Sequence, residues 1–294
     1  MERKLWSIIS GAITDVSQTR KSGHRFTYDT ALIVRVYLWS VLHDRPVNWA
    51  CRRGSWSIAT RPSWLPGQST MSRRLRSKAT QEFLHALGRR LSGDRYSGLV
   101  KMIDGKPMPI SRHSQDRDAT FGRGAGGMDK GYKLHALWGR GNMPLAWSVR
   151  PMNVSEKAMA AELLCELRDG GYVLADANYE TNHLYDLAAE HNHQLLSPRH
   201  HPGTNLGYRR HSQHRLRGIE LLEGPSRFGQ QLYQLRRQIE GRFSGLTSFG
   251  GGLVSLPPWV RHLHRVQQFV HAKLLINAAR IIRLKNQRCN QLGA

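Results

Sequence analysis

Between residues 27 and 92 the apolar positions keep a helical period. In TYDTALIVRVYLWSVLHD, Ala31, Val34, Leu38, Val41 and Leu42 return at intervals of three and four, and Thr27 or Asp29 can cap the start. RPVNWACRR and KATQEFLHALGRRL supply further short helices. Between them, RPSWLPGQSTMSRRLRS carries two prolines and a glycine, then a Ser/Thr start to a basic helix around residues 69–78. After Gly93 the pattern changes to short runs rich in Val, Ile, Leu, Tyr and Trp. GLVKMID and MPI, then GYKLHALWG and MPLAWSVR, are separated by Gly, Pro and Asn, as strands are. Next come a helix SEKAMAAELLCELRD opened by Ser155, a buried-strand pattern GGYVLAD ending on Asp176, a helix over about 180–191 and a strand QLLSPR. A basic stretch over 199–217 leads to one long helix, RFGQQLYQLRRQIEGRFSGL, with Leu232, Leu235, Ile239, Phe243 and Leu246 on one face. A closing helix runs over about 258–285.

Strands first in hairpins and then alternating with helices predict an α/β fold, a mixed sheet covered by helices. A small all-helical domain precedes it. The expected boundaries are 1–94 for the helical domain, 95–288 for the sheet domain with its C-terminal helix, and 289–294 for a tail.

Charge decides which partners to consider. The 294 residues hold 44 Lys+Arg against 21 Asp+Glu, a net +23 with histidines neutral, far beyond what solubility needs. Such a field gathers polyanions. The basic residues are spread from Arg3 to Arg288 and not gathered on one amphipathic helix, which favours nucleic acid over a membrane surface. Two readings fit the 69–78 helix: the recognition element of a helix-turn-helix, or a bundle helix with a solvated basic face. Arg73, Arg74 and Arg76 suit phosphates as well as bases. Three widely spaced cysteines argue for a reducing compartment and against a disulfide framework. The first residues carry no cleavage site and too short an apolar run to span a bilayer, so a cytoplasmic protein is expected. HNH at 191–193 and RHH at 199–201 lack a partnering ligand set and read as surface or phosphate-contacting histidines.

Against this basic background the carboxylates stand out. Asp104 ends VKMID just before a glycine, and Asp176 ends YVLAD. Singly, Asp104 also reads as a turn residue and Asp176 as a helix cap. If the two strands are parallel neighbours, both side chains emerge at the carboxyl ends, where ligands of open α/β sheets bind. Glu240, in RRQIEGRF on a covering helix, is best placed as a third. Converging carboxylates call for a positive partner, and Mg²⁺ takes such oxygen ligands. FGRGAGGMDKGYK lacks the Gly-Lys-Ser/Thr ending of a phosphate loop and reads as a mobile connection whose Arg123, Lys130 and Lys133 meet DNA. Trp138 and Trp147 read as core residues.

The chain resembles the DDE transposases of bacterial insertion sequences. Many of them mark the third acid with Y-(2)-R-(3)-E-(6)-K, and Tyr233, Arg236 and Glu240 stand at that spacing. IDG at the first acid, GYKLH on the next strand, ADANYET with Asp176 and Tyr179 at the second acid, and LPGQSTMSRRLRS near the N-terminus extend the likeness over most of the chain. The motif's lysine position holds Thr247. Asp176 follows Asp104 by 72 residues and Glu240 follows Asp176 by 64, which leaves no room for the long β-strand insertion of some relatives.

The resemblance implies an RNase H-like core and metal-dependent DNA cleavage and strand transfer at terminal inverted repeats. It implies Asp104, Asp176 and Glu240 as catalytic ligands of two Mg²⁺ ions, for which Mn²⁺ can substitute. DNA contacts are expected from Tyr233, Arg236, Arg73, Arg74, Arg76, Lys130, Lys133, Arg209 and Arg210, and a homodimer is expected on the DNA ends, in association with the nucleoid. A related nuclease that cuts without joining, and a non-catalytic DNA-binding descendant, are the alternatives.

Overall fold

The computed structural model describes residues 2–19, 27–93, 98–124, 126–208, 210–249, 252–253 and 255–292. Among the described residues five α-helices come first: α1 (Glu2–Thr19), α2 (Thr30–Leu42), α3 (Val47–Ala50), α4 (Gln68–Leu75) and α5 (Lys78–Ser92). Of the two expected caps for α2, Asp29 is the one used, its carboxylate accepting from Leu32 N–H at 2.6 Å. The expected basic helix over 69–78 is not continuous. α4 ends at Leu75, and Ser77 caps a new helix by accepting from Thr80 N–H. A serine offering its hydroxyl to the backbone stops one helix as readily as it starts another.

The sheet contains β1 (Val100–Pro109), β2 (Thr120–Gly124), β3 (Gly127–Trp138), β4 (Ala146–Pro151), β5 (Gly171–Leu174) and β6 (His193–Leu196). Its order is β2-β3-β1-β5-β6, with β4 also on β3. β2 and β4 pair with successive stretches of β3, and β1 lies antiparallel to β3 but parallel to β5, which is parallel to β6. Antiparallel hairpins followed by parallel strands with helical crossovers make the core RNase H-like and the fold α/β, as expected.

Two local expectations give way. β1 runs through Asp104 and Gly105, which pair with Ala136 and His135, so Asp104 is inside a strand and not at its end. The glycine-rich stretch is a β2–β3 hairpin rather than a loose connection. A Cβ on Gly122 would meet Met152 O at 2.4 Å, and one on Gly131 would meet Met108 O at 2.4 Å. Close backbone approach accounts for these glycines.

The helices α6 (Glu156–Leu164) and α7 (Asn182–Glu190) cover one face of the sheet. Ile103, Leu137, Leu163, Leu164, Val173, Leu184, Tyr185 and Leu195 are buried together there. Among the described residues three α-helices follow β6: α8 (Gln213–Glu223), which begins inside the expected basic stretch, α9 (Arg227–Gln234) and α10 (Arg237–Thr247). The expected long helix is thus broken between α9 and α10. Backbone bonds there run from residue i to i+3, as in Arg236 N–H to Tyr233 O (2.9 Å) and Ile239 N–H to Arg236 O (2.9 Å). The tightening falls where Tyr233 and Arg236 are tied to the sheet, and it leaves Leu235 exposed while Ile239 is fully buried.

The last helix, α11 (Leu263–Leu292), starts later than expected. The chain divides into two compact units, residues 1–93 with 246–260 and 268–294, and residues 94–245 with 261–267. Most of α11 therefore counts with the N-terminal helices. Lys273, fully buried, reaches Asp44 Oδ1 (2.5 Å) and Val41 O (3.0 Å), and Gln268 donates to Leu75 O (2.7 Å). Trp6, Trp39 and Trp56 pack together in the same unit, the last two stacked at 4.7 Å. In the sheet unit Trp138 is fully buried with Phe243 against its edge, and Trp147 is half-buried.

Candidate active site

The strand register sets the first two acids level. Met102 pairs with Leu174 in the parallel β1–β5 ladder, and Asp104 and Asp176 each stand two residues farther along. Equal offset on parallel neighbours puts both residues at one end of the sheet and on one face of it. Asp104 Oδ1 accepts from Gly105 N–H (2.8 Å), and Asp176 Oδ1 accepts from Asn178 N–H (2.9 Å), which opens the short turn Ala177–Tyr179. Ser197 clasps Asp176 from β6's end, its hydroxyl donating to the Asp176 carbonyl at 2.6 Å.

Arg236 joins the pair. Its Nη2 stands 3.2 Å from Asp104 Oδ2 and 3.9 Å from Asp176 Oδ2. The Tyr233 hydroxyl donates to Ala175 O at 2.9 Å and holds the arginine's segment on β5. Burial pushes the Asp104 carboxyl up to about 6. The Gly105 N–H and Arg236 oppose that rise, and the charges of Asp176 and Glu156 add to it. Tyr179, buried beside the same acids, has its phenol held above its usual range by desolvation, then by Glu156, Asp104 and Asp176.

Glu240 is not gathered in. It is exposed in the first turn of α10, and no contact with Asp104 or Asp176 is present among the described residues. A carboxylate there also suits the positive end of a helix. The acid that acts on Asp104 besides Asp176 is Glu156, which opens α6 after its Ser155 cap. Glu156 pairs with Lys133 at 2.7 Å. Gly105 leaves space for this pair, since a Cβ there would stand 3.1 Å from Lys133 Cδ, 3.4 Å from Glu156 Oε1 and 3.5 Å from His135 Nδ1. Burial pushes the His135 imidazole down to about 4, against the opposing charge of Glu156. In the sequence Glu156 carries only the signature of a first-turn helix acid; the packing of α6 on β3 is what brings Lys133 beneath it.

By distance, the described residues contain one possible metal-binding group elsewhere, Asp116, Asp118 and His262, with ligand atoms within 4.8 Å of one another. Its oxygens are already engaged. Asp116 Oδ2 accepts from the Tyr132 hydroxyl (2.8 Å) and His262 N–H (3.1 Å), and Asp118 Oδ2 accepts from Leu263 N–H (2.8 Å). These bonds satisfy the free N–H groups where α11 begins.

A family model described as "Transposase DDE domain" matches residues 95–276, well over half of the chain. The chain belongs to that family. No curated protein matches it. Among solved structures it is similar to a piggyBac transposase synaptic complex with hairpin DNA determined by cryo-EM, at 9% identity over 93% of this chain and 71% of that one, with a TM-score of 0.44.

The expected DNA-contacting residues of this DDE transposase are placed unequally. Arg73, Arg76 and Arg210 are exposed. Arg74 is buried, donating to Tyr28 O (2.8 Å) and Thr30 Oγ1 (3.1 Å), and so ties α4 to the start of α2. Lys130 donates to Ser114 O at 2.7 Å, and Lys133 is buried on Glu156. Arg209 lies outside the described residues. In the basic stretch, Arg199 pairs with Glu223 and Arg215 with Glu180. His193 is buried, with Nε2 3.5 Å from Asp169 Oδ1, and is not the surface residue its HNH context suggests. No helix among the described residues is long and apolar enough to cross a membrane.

Proposed function

We propose that the chain is the transposase of a bacterial insertion sequence, binding the element's terminal inverted repeats and catalysing DNA cleavage and strand transfer. The observation that carries this is the convergence of Asp104 and Asp176, from parallel neighbouring strands, on the arginine of a Y-(2)-R-(3)-E segment. Two hard oxygen donors already gathered around a cation fit a divalent metal. Asp104 and Asp176 would hold Mg²⁺ or Mn²⁺, with Glu240 of α10 as the third ligand of a two-ion site. Bound there, the metal supplies the charge that activates the attacking oxygen and stabilises the leaving one.

The chain's own residues position the rest. Tyr233 fixes its segment on Ala175 O, so that Arg236 faces the acids at the sheet end, where a DNA phosphate would arrive. Exposed Arg73, Arg76 and Arg210 would contact DNA, the first two from the helical N-terminal region. Two copies would meet on the paired DNA ends, in the nucleoid.

Nicking of supercoiled plasmid, measured beside gel-shift affinity, tests this reading. Asp176→Asn and Glu240→Gln should each abolish nicking and leave affinity largely intact, because neutral isosteres remove metal ligation and no basic contact. Nicking by Asp176→Asn would overturn the assignment of the acid pair; nicking by Glu240→Gln alone would remove only Glu240 from it.

A further inference from the structure

Arg236 stands where, on the reading just proposed, positive charge has to arrive from solution. Its Nη2 faces both carboxylates, 3.2 Å from Asp104 and 3.9 Å from Asp176, and its side chain is 18% exposed. Yet the seat uses the guanidinium incompletely. Nε is buried with no hydrogen-bond partner among the described residues. A buried donor left unsatisfied carries a desolvation cost that a better acceptor would remove.

A divalent ion on the same two carboxylates would sit within a few ångströms of the guanidinium. Like charges at that distance in a partly buried site repel strongly, so the two cations cannot share the pair. The guanidinium's planar fork, in turn, matches a phosphate, which can take two of its N–H groups at once. The Tyr233 hydroxyl bond to Ala175 O holds the backbone three residues before Arg236, so the side chain can exchange partners while its segment stays on β5.

We propose that Arg236 is a place-holding cation whose release couples metal loading to DNA binding. Without metal it neutralises Asp104 and Asp176. A divalent ion expels it, and the freed guanidinium takes a phosphate of the DNA. The inference rests on the proposed reading of Asp104 and Asp176 as metal ligands. It requires that free protein bind metal weakly, because the arginine pair must be broken first, and that DNA and metal each strengthen the other's binding by one common factor.

The test measures Mn²⁺ binding by calorimetry and binding of a short random-sequence DNA duplex by fluorescence anisotropy, each with and without the other ligand. A titration of Mn²⁺ into duplex alone is subtracted. Wild type is compared with Arg236→Gln and with Arg236→Met, the second guarding against a folding defect peculiar to the first. The neutral variants should bind Mn²⁺ about fivefold or more tightly than wild type when DNA is absent. Mn²⁺ should tighten duplex binding by wild type about fivefold or more relative to its effect on the variants. Mn²⁺ affinity unchanged by the substitutions, or an equal Mn²⁺ effect on duplex binding in all three proteins, would overturn the exchange while leaving the metal site standing. Failure of wild type and variants alike to bind Mn²⁺ would overturn the metal site and the exchange together.

Discussion

Replacing Asp104 by asparagine tests the electrostatics of the acid pair without any catalytic assay. Asp104 gives up its proton near pH 6 in the folded protein, against 3.8 for an ordinary aspartate. Between those values the folded state holds a proton that the unfolded chain has lost, so stability falls as pH rises through the window. Above about pH 6 the ionised carboxylate costs the fold the whole difference. At roughly 1.36 kcal/mol per pH unit that difference is about 3 kcal/mol. It is a ceiling, because Asp104 is 24% exposed and water screens part of the effect. Asparagine keeps the oxygen that accepts from Gly105 N–H and cannot ionise. Metal-free Asp104→Asn should therefore be more stable than wild type at pH 7, by up to about 3 kcal/mol, and the two should converge below about pH 4. At roughly 2–4 °C per kcal/mol the gain is several degrees in Tm. Millimolar Mg²⁺ or Mn²⁺ should raise the wild type, by about 2.7 kcal/mol at a hundredfold excess over Kd, and should raise the variant far less. The assay is a set of thermal melts at pH 4 and 7, with and without the ion. A variant that melts below wild type at pH 7, independently of metal, would refute the reasoning: the Arg236 pairing would then outweigh desolvation, and Asp104 would be a structural residue.

The two neighbouring arginines of α4 should separate by assay. Arg74→Ala leaves its carbonyl and hydroxyl acceptors unpaired and should cost about 1–3 kcal/mol in a denaturant melt, whereas Arg73→Ala should change stability by less than about 0.5 kcal/mol and weaken DNA retention in a gel shift. Glu156→Gln strands the Lys133 ammonium in the interior and should destabilise by about 3–5 kcal/mol. Adding Lys133→Met should restore most of that loss in the same melt, and no recovery in the double variant would mean that the pair is not what Glu156 supports.

Periodicity and local chemistry carried much of this protein. The switch from a three-to-four period to short β-branched and aromatic runs at Gly93 separates helices from sheet because buried faces repeat with the geometry of the element itself. Asp29 and Ser155 act as caps because a helix start needs an acceptor close in the chain. The levels of Asp104 and Asp176 were half legible. Each follows an apolar run, but only the ladder that pairs Met102 with Leu174 puts them side by side. What the sequence could not decide are contacts between residues far apart in the chain. Arg73 and Arg74 look alike in MSRRLRS, and a partner 44 positions away, Thr30, makes one structural and leaves the other in solvent. Lys133 reads as a DNA-facing cation until packing of α6 on β3 lays Glu156 against it. The apolar stripe from Leu232 to Leu246 predicts one helix, because periodicity registers burial and is blind to Tyr233 and Arg236 being bound to the sheet end, where the chain turns. Short-range order depends on neighbours the sequence displays; register, ion pairs and breaks depend on which distant groups share a low-dielectric interior, and that is settled when the sheet closes.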